Sequence, residues 1–334
     1  MGYRAEKIEQ ERRSKRIKII LFTLLSAVVV AVCLFSFYCM PAESWKFRFN
    51  LPEISARKDG ELRIHFIDVG QGDSTLIEFP DGKVALVDGG NGGDVETKSL
   101  MRYLNALDIE RIDGMVATHA DVDHCGGLAT VLRLKEVVRA YVPAVENPTN
   151  VAGYADFYRR LSESDCKKTV NARGVCLSGE GQYPYKAVFL YPYSLDVESG
   201  EGKGENEDSA VIWLDYCGVS GIFCGDIDSD VERLLMRDDG LGAFDKWGVK
   251  LSETEILKVA HHGSASSTSA AFVKYLGIQT AVISCGKNNG YGHPSSNVLG
   301  VLKAAGAETY RTDEVGSVMI AIKPDGTYQV EAVG

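Results

Sequence analysis

Thr118-His119-Ala120-Asp121-Val122-Asp123-His124-Cys125-Gly126-Gly127 directly follows the apolar triplet Met115-Val116-Ala117. Four side chains able to ligate a divalent metal, His119, Asp121, Asp123 and His124, fall within six positions at the mouth of a strand. A buried Asp or His is costly unless it is paired or metal-bound. Packing alone therefore does not select this pattern. A solvated acidic turn is the bland alternative, and three further clusters weigh against it. Gly225-Asp226 ends the apolar hairpin of residues 211–224. Lys258-Val259-Ala260-His261-His262-Gly263-Ser264 ends another strand, and Tyr291-Gly292-His293-Pro294 follows a third. Each is weak alone, since an Asp there is often a cap and a His pair is often surface. Together they hold five of the six histidines. The remaining one, His65, sits within a strand and is expected to pack.

Around these clusters the hydrophobic pattern alternates between strands and helices. Strands are predicted at residues 61–68, 74–79, 83–88, 114–118, 187–191, 210–216, 221–224, 256–259, 280–284, 309–311 and 315–322. Helices are predicted at 94–106, 126–133, 228–236, 267–276 and 296–305. Residues 143–185 read as loop-rich apart from an amphipathic stretch at 154–161. They lie between ligand clusters and are expected to wall the site. Two sheets with helices outside them would bury such a pattern, which makes the domain α/β.

The amino end is a different object. Residues 19–40 are uncharged and apolar, and 22 positions at about 1.5 Å each span a hydrocarbon core of roughly 30 Å. Seven Lys or Arg against three Glu give residues 1–40 a net charge of +4. A basic flank on that side places residues 1–18 in the cytoplasm and the rest of the chain outside. A cleaved signal peptide is the alternative, but the run is long and Cys39-Met40-Pro41-Ala42 is a poor cleavage site. The expected organisation is a tail at 1–18, a membrane anchor at 19–40, a tether at 41–60 and a hydrolase domain at 61–334. The polar, Gly-rich stretch 198–206 is expected not to pack. The 334 residues carry −10 overall, so residues 41–334 carry −14. Such an acidic surface excludes a general nucleic-acid coat. An external domain permits disulfides. Cys166 and Cys176 bracket a short polar stretch and are the expected pair, with two free thiols as the alternative.

The motifs resemble the metallo-β-lactamase superfamily, and more closely the hydrolase-like domain of ComEC-type competence proteins. They run as Phe66-Ile67-Asp68-Val69-Gly70-Gln71-Gly72-Asp73, Leu86-Val87-Asp88-Gly89-Gly90, the His119–His124 cluster and Asn206-Glu207-Asp208-Ser209. Phe223-Cys224-Gly225-Asp226, the 257–264 segment, residues 288–294 and Thr312-Asp313 complete the set. The resemblance implies an αββα four-layer sandwich and a stand-alone, singly anchored relative. It further implies that His119 and Asp121 hold a first metal, that Asp123, His124 and His262 hold a second, and that Asp226 bridges them. Asp88 would orient the ligand loop, and Asp73 would support the centre from behind. Asp121 stands where many members have His, and no clear His completes the first site, so His261 either ligates there or faces substrate.

Three carboxylates and one hydroxide balance two divalent cations, and such cations bring a water pKa to about 7. The carboxylate-rich set admits Mn²⁺ as well as Zn²⁺. Asp123, His261 and His293 are the candidate catalytic residues, His293 as a proton donor to the leaving group. Asn206, Ser264 and Ser267 are candidate substrate-binding residues, with loop capping as the alternative. Gly70 and Gly72 are expected to let backbone approach the metal site rather than cradle phosphate. The implied function is an extracytoplasmic phosphodiesterase or nuclease, with DNA as candidate partner. Hydrolysis of another envelope ester or amide, and a non-catalytic envelope or DNA-uptake module, are the alternatives. Arg133, Lys135 and Arg139 are the basic residues nearest the ligand clusters in sequence.

Overall fold

The computed structural model describes residues 2–38, 42–145, 147–193 and 205–333. It divides into two compact units, Met1–Phe49 and Asn50–Gly334. The first unit is dominated by the helix Gly2–Tyr38. Its stretch Ile8–Phe35 is long and apolar enough to cross a membrane, by length and composition. Of the expected span, Cys39 and Met40 fall outside the described residues, as do residues 198–204 of the polar loop.

The second unit is built on two sheets. In the eight-stranded sheet the order is Tyr328–Val333, Ser317–Ile322, Leu62–Phe66, Thr75–Glu78, Val84–Val87, Gly114–Val116, Arg139–Val142 and Lys167–Val170. In the seven-stranded sheet it is Glu308–Arg311, Thr280–Ile283, Ile256–Lys258, Val219–Phe223, Val211–Tyr216, Tyr185–Tyr191 and Cys176–Gly179. Side-chain alternation sorts the strands into layers. Ile64, Phe66, Phe189, Ile212, Leu214, Val282 and Ile320 share a core between the sheets. Val188, Leu190, Val211, Trp213 and Leu257 point the other way, onto Val231, Leu235, Phe272, Leu276 and Leu302 of the covering helices. Because both faces of the sheet are covered, its strands read as continuous apolar runs. On the first sheet His65 packs as expected, its Nδ1 3.0 Å from Tyr103 Oη of the helix Asp94–Ala106 and its Nε2 2.8 Å from Glu78. Helix, sheet, sheet and helix layers make up the sandwich.

Local chemistry sets the helix starts. Asp228 accepts from the backbone N–H groups of Asp230 and Val231, and opens Ser229–Gly240. Ser269 and Ser295 do the same for Ala270–Leu276 and Ser296–Ala305.

Three differences from the sequence reading stand out. Within residues 143–185, strands at Lys167–Val170 and Cys176–Gly179 replace much of the expected loop. Both are short edge strands with exposed polar positions, so neither carries an apolar signal. They belong to different sheets and do not pair with each other. Cys166 and Cys176 are consequently free thiols rather than a disulfide. Finally, the basic group near the ligands is spoken for. Lys135 is buried, donates to Asn105 Oδ1 at 2.8 Å and pairs with Glu110, while Arg139 donates to Thr169.

Several strands at the centre of each sheet are parallel: Val84–Val87 with Gly114–Val116, and Val219–Phe223 with Ile256–Lys258 and Thr280–Ile283. Their carboxyl ends release Asp88, Thr118-His119, Asp226, His261-His262 and the loop carrying His293. A crevice at strand carboxyl ends is where open α/β sheets bind ligands.

Candidate metal centre

The His119–His124 turn is held from below by Asp88. Asp88 Oδ1 accepts from Thr118 N at 2.8 Å. Its Oδ2 accepts from Thr118 Oγ1 at 2.8 Å and lies 2.8 Å from His124 Nδ1. Thr118 Oγ1 is also 3.1 Å from His119 Nδ1. One carboxylate thus fixes both rings, directly or through Thr118. Asp121 ends the preceding loop and starts the short helix Val122–Cys125. Its side chain remains 51% exposed, with Oδ2 3.7 Å from His119 Nε2.

The Gly70–Asp73 turn comes to meet this helix. Asp73 N donates to Asp123 O at 3.0 Å. A Cβ on Gly72 would sit 2.4 Å from that same oxygen, and Gly72 has φ +143°. Both facts require glycine, in line with the expected close approach.

From the second sheet, Asp226 is set by Ser209, whose Oγ accepts the Asp226 N–H at 3.1 Å. His261 and His262 both hold left-handed backbone, φ +49° and +52°. Such a pair of non-glycine residues is strained and persists only where the surroundings enforce it. Here Ser267 Oγ donates to Ala260 O and Ser264 O, at 2.9 and 3.1 Å. Pro294 packs so closely on Gly263 that a Cβ there would be 2.6 Å away. The result turns His262 inward, with Nδ1 3.0 Å from Ser284 O. Ser267 is thus buried and braces the loop with its hydroxyl, as the loop-capping alternative describes. Ser264 Oγ lies 3.0 Å from Ser266 Oγ.

The atoms left over converge. His119 Nε2, His124 Nε2, His262 Nε2, Asp226 Oδ1 and Asp73 Oδ1 are buried and lack hydrogen-bond partners. His124 Nε2 is 3.2 Å from Asp226 Oδ1 without bonding alignment. His262 Nε2 is 3.3 Å from Asp123 Oδ2 and 3.5 Å from Asp226 Oδ2. The ligand atoms of His119, His124 and Asp226 lie within 4.8 Å of one another, as do those of Asp123, His124 and His262. Each histidine has its Nδ1 committed to an oxygen and its Nε2 free toward the others. That is the arrangement of metal-ligating histidines with their supporting groups, so the residues fit divalent metal.

The electrostatics agree. Burial alone would push the His124 imidazolium down, but Asp226 and Asp88 outweigh it and hold the group well above its ordinary value. Burial likewise opposes the His262 imidazolium, yet Asp226 and Asp73 raise it to about 10. Burial would raise the Asp226 carboxyl, but His124 and His262 hold it well below the carboxylate range. Carboxylates and imidazoliums thus stabilise one another in the pocket, and a divalent ion could take the place of the protons on the rings.

Lys258 is a residue whose role the sequence did not expose. Buried beneath the centre, it pairs with Asp73 and donates to Val259 O at 2.9 Å. Burial lowers the Lys258 ammonium less than Asp73 and Asp226 raise it, so it stays charged. Lys258 belongs to the 257–264 segment, but its partner Asp73 is 185 residues away in sequence.

The rim differs. His261 is half-buried, its Nε2 3.2 Å from the Asn206 amide nitrogen and 3.8 Å from Asp226 Oδ2. Burial lowers its imidazolium despite Asp226. His293 is lowered too, first by burial and then by the neighbouring His262 and His261. Its Nδ1 is buried without a partner. The helix Tyr154–Glu163 backs the ligand turn: Gly153 O accepts from Cys125 Sγ at 3.7 Å, and a Cβ on Gly153 would strike Val122 at 2.5 Å.

Comparisons with known proteins identify the family. Residues 67–287 match the family model described as the metallo-beta-lactamase superfamily. ComE operon protein 3 of Bacillus subtilis is 28% identical over 81% of this chain and 34% of that protein. Competence protein ComA of Neisseria gonorrhoeae is 26% identical over 90% of this chain and 39% of that protein. The chain thus spans little more than a third of these relatives' length. Among solved structures, Zn²⁺-bound PqqB from Methylobacterium extorquens is 12% identical, with TM-score 0.40 over 79% of this chain and 99% of that one. The matched model covers well over half of the chain, and the protein belongs to the metallo-beta-lactamase superfamily, where it resembles the ComEC-type competence proteins.

Proposed function

We propose that this chain is an extracytoplasmic metal-dependent phosphodiesterase that acts on nucleic acid. The observation that supports this is the inward convergence of His119 Nε2, His124 Nε2, His262 Nε2 and Asp226 Oδ1, all buried and unpartnered. His119 and Asp121 would hold one divalent ion, Asp123, His124 and His262 a second, and Asp226 both, with Zn²⁺ or Mn²⁺ suited to the mixed donors. A metal held by these residues would supply a water of pKa about 7 and electrostatic screening for a phosphoryl group.

The chain's own residues supply the rest. Asp123 orients the attacking water. Asn206 and His261 bind a non-bridging phosphoryl oxygen, and His293 donates to the leaving oxygen. Asp88 and Thr118 keep the ligand rings in place, and the Asp73–Lys258 pair backs His262. Residues 19–40 anchor the domain, with the +4 amino end held in the cytoplasm. Kinship to a protein named Competence protein ComA motivates DNA as the polymer. A second reading, hydrolysis of a smaller envelope ester or amide such as a choline-phosphate ester or a β-lactam, is favoured by the −14 charge of residues 41–334.

The test uses full-length chain in detergent, with metal quantified and bis-aryl phosphodiester, single-stranded DNA, phosphocholine ester and β-lactam assayed under Mn²⁺ or Zn²⁺. At least about one metal per chain and phosphodiester cleavage are expected, and Asp226→Asn should cut the rate by about 10³-fold or more. Cleavage that survives Asp226→Asn would overturn the assigned centre. Activity confined to the phosphocholine ester or the β-lactam would favour the second reading.

A further inference from the structure

We infer that Tyr291, stacked on His293, is a platform for an unpaired nucleobase at the mouth of the metal centre. This rests on the phosphodiesterase reading and names how its substrate is gripped. Among the described residues of the Asn50–Gly334 unit, Tyr291 is the one aromatic side chain in the exposed class, at 73%. A lone exposed apolar residue needs no explanation, but this one is placed and held. Its ring lies 5.8 Å from that of His293 with 25° between the planes. His293 in turn lies 6.3 Å from His262 at 26°. Three rings, each tilted by about 25° to the next, therefore step outward from His262 to solvent, and the outermost is largely exposed.

The loop is stapled rather than loose. Asn289 Oδ1 accepts from Tyr291 N at 3.2 Å and from His293 N at 3.1 Å. Asn289 Nδ2 donates to Gly286 O at 2.9 Å and His293 O at 2.6 Å. Gln71 Oε1 accepts from Gly286 N at 3.0 Å, tying this loop to the Gly70–Asp73 turn. An aromatic ring held out at low entropic cost is the form of a preorganised contact.

Charge explains why stacking is needed. Residues 41–334 carry −14, so phosphate neutralisation and counterion release contribute little to binding a polyanion. Base–aromatic stacking is uncharged and tolerant of sequence, and alanine substitution of such a ring costs about 5- to 150-fold in binding per base. A base already stacked in a duplex cannot use the face, which selects single strands. A quaternary ammonium is recognised by a cage of several aromatics; a single open face suits a planar base.

The test compares full-length wild type, Tyr291→Ala and Tyr291→Phe in detergent with Mn²⁺. Substrates are oligothymidylate, the same oligomer carrying abasic positions around the cleaved bond, and its duplex. Wild type should prefer the intact single strand over the abasic one by about 5- to 150-fold in KM. Tyr291→Ala should collapse that ratio toward one, and Tyr291→Phe should keep it. A second readout avoids catalysis: a 2-aminopurine oligomer in EDTA should be quenched by wild type and Tyr291→Phe but not by Tyr291→Ala. An unchanged ratio with equal quenching by all three proteins overturns the platform, as does equal use of duplex, or phosphocholine competing where thymidine does not. Quenching without cleavage of any phosphodiester would leave the platform standing and overturn the phosphodiesterase reading instead.

Discussion

At the floor of the centre, His119, His124 and His262 are buried, and carboxylates hold His124 and His262 above their ordinary pKa. At the rim, His261 and His293 are partly exposed and burial holds both below it. The same side chain is thus set in two opposite electrostatic states only a ring or two apart. The floor gathers negative charge and directs free nitrogen atoms inward, as metal ligation requires. The rim disfavours positive charge on its imidazoles, so an imidazolium there gives up its proton readily. One region is suited to hold ions, the other to touch substrate.

That division can be broken most sharply at His293. If it is a rim residue acting on the leaving group, His293→Ala should lower kcat by about 10²-fold or more while metal content stays at the wild-type level. Kinetics on the phosphodiester, paired with metal analysis of the same samples, decides it. Loss of metal in parallel with activity would move His293 to the floor. The converse variant is Asp88→Asn, which leaves the rim intact but alters the hydrogen-bond pattern at His124 Nδ1 and Thr118. Metal affinity should fall about 10- to 100-fold, read by competition with a chelating dye. A variant that binds metal as tightly as wild type but turns over slowly would show that Asp88 serves something other than the ligand rings.

A smaller effect sharpens the electrostatic side. In metal-free protein His262 is held at about 10 and His124 well above its usual range, so both carry protons at pH 7. Ligation needs them neutral, so uptake of metal should release up to about two protons and affinity should weaken as pH falls. Calorimetric titration in buffers of different ionisation enthalpy measures this directly. The linked stability has the opposite pH sense. His262 goes from about 6.5 unfolded to about 10 folded, so its contribution to the metal-free fold is complete below about pH 6.5 and is lost as pH rises toward 10. Metal binding without proton release would contradict the charged state assigned to the floor.

Much of the floor could be read from the chain because its first half is local. His119 to His124 are six consecutive residues following one strand, and their density is itself the signal. The resemblance supplied Asp226 and His262, which local pattern leaves ambiguous. What remained hidden depends on contacts far apart in sequence. Lys258 meets Asp73, Ser209 receives Asp226 N, and Gln71 catches Gly286. None leaves a trace in hydrophobic periodicity. Ser267 shows the converse ambiguity: a serine beside a histidine pair suits either substrate binding or loop capping in sequence, and only the fold shows its hydroxyl bracing the left-handed backbone there. In the sheets, the apolar central strands were legible, whereas Lys167–Val170 was not, because it is an edge strand that shows polar residues to water and so carries no apolar alternation.

The smallest effect concerns the two edges. Cys166 adjoins the last strand of the eight-stranded sheet and Cys176 opens the last strand of the other. Each thiol finds a nearby backbone oxygen, Lys167 O at 3.8 Å and Gly174 O at 3.4 Å, and burial raises both above the ordinary cysteine value. Thiols so protonated attack slowly, and the strands that carry them are joined to different partners. Replacing both by Ser should therefore change stability by no more than about 0.5 kcal/mol, with the metal centre unaffected. Alkylation of protein prepared without reductant should modify both residues. A linked peptide containing Cys166 and Cys176 would mean that the two edges are tied across the sheets, and segment 167–179 would then be a strap rather than two independent strands.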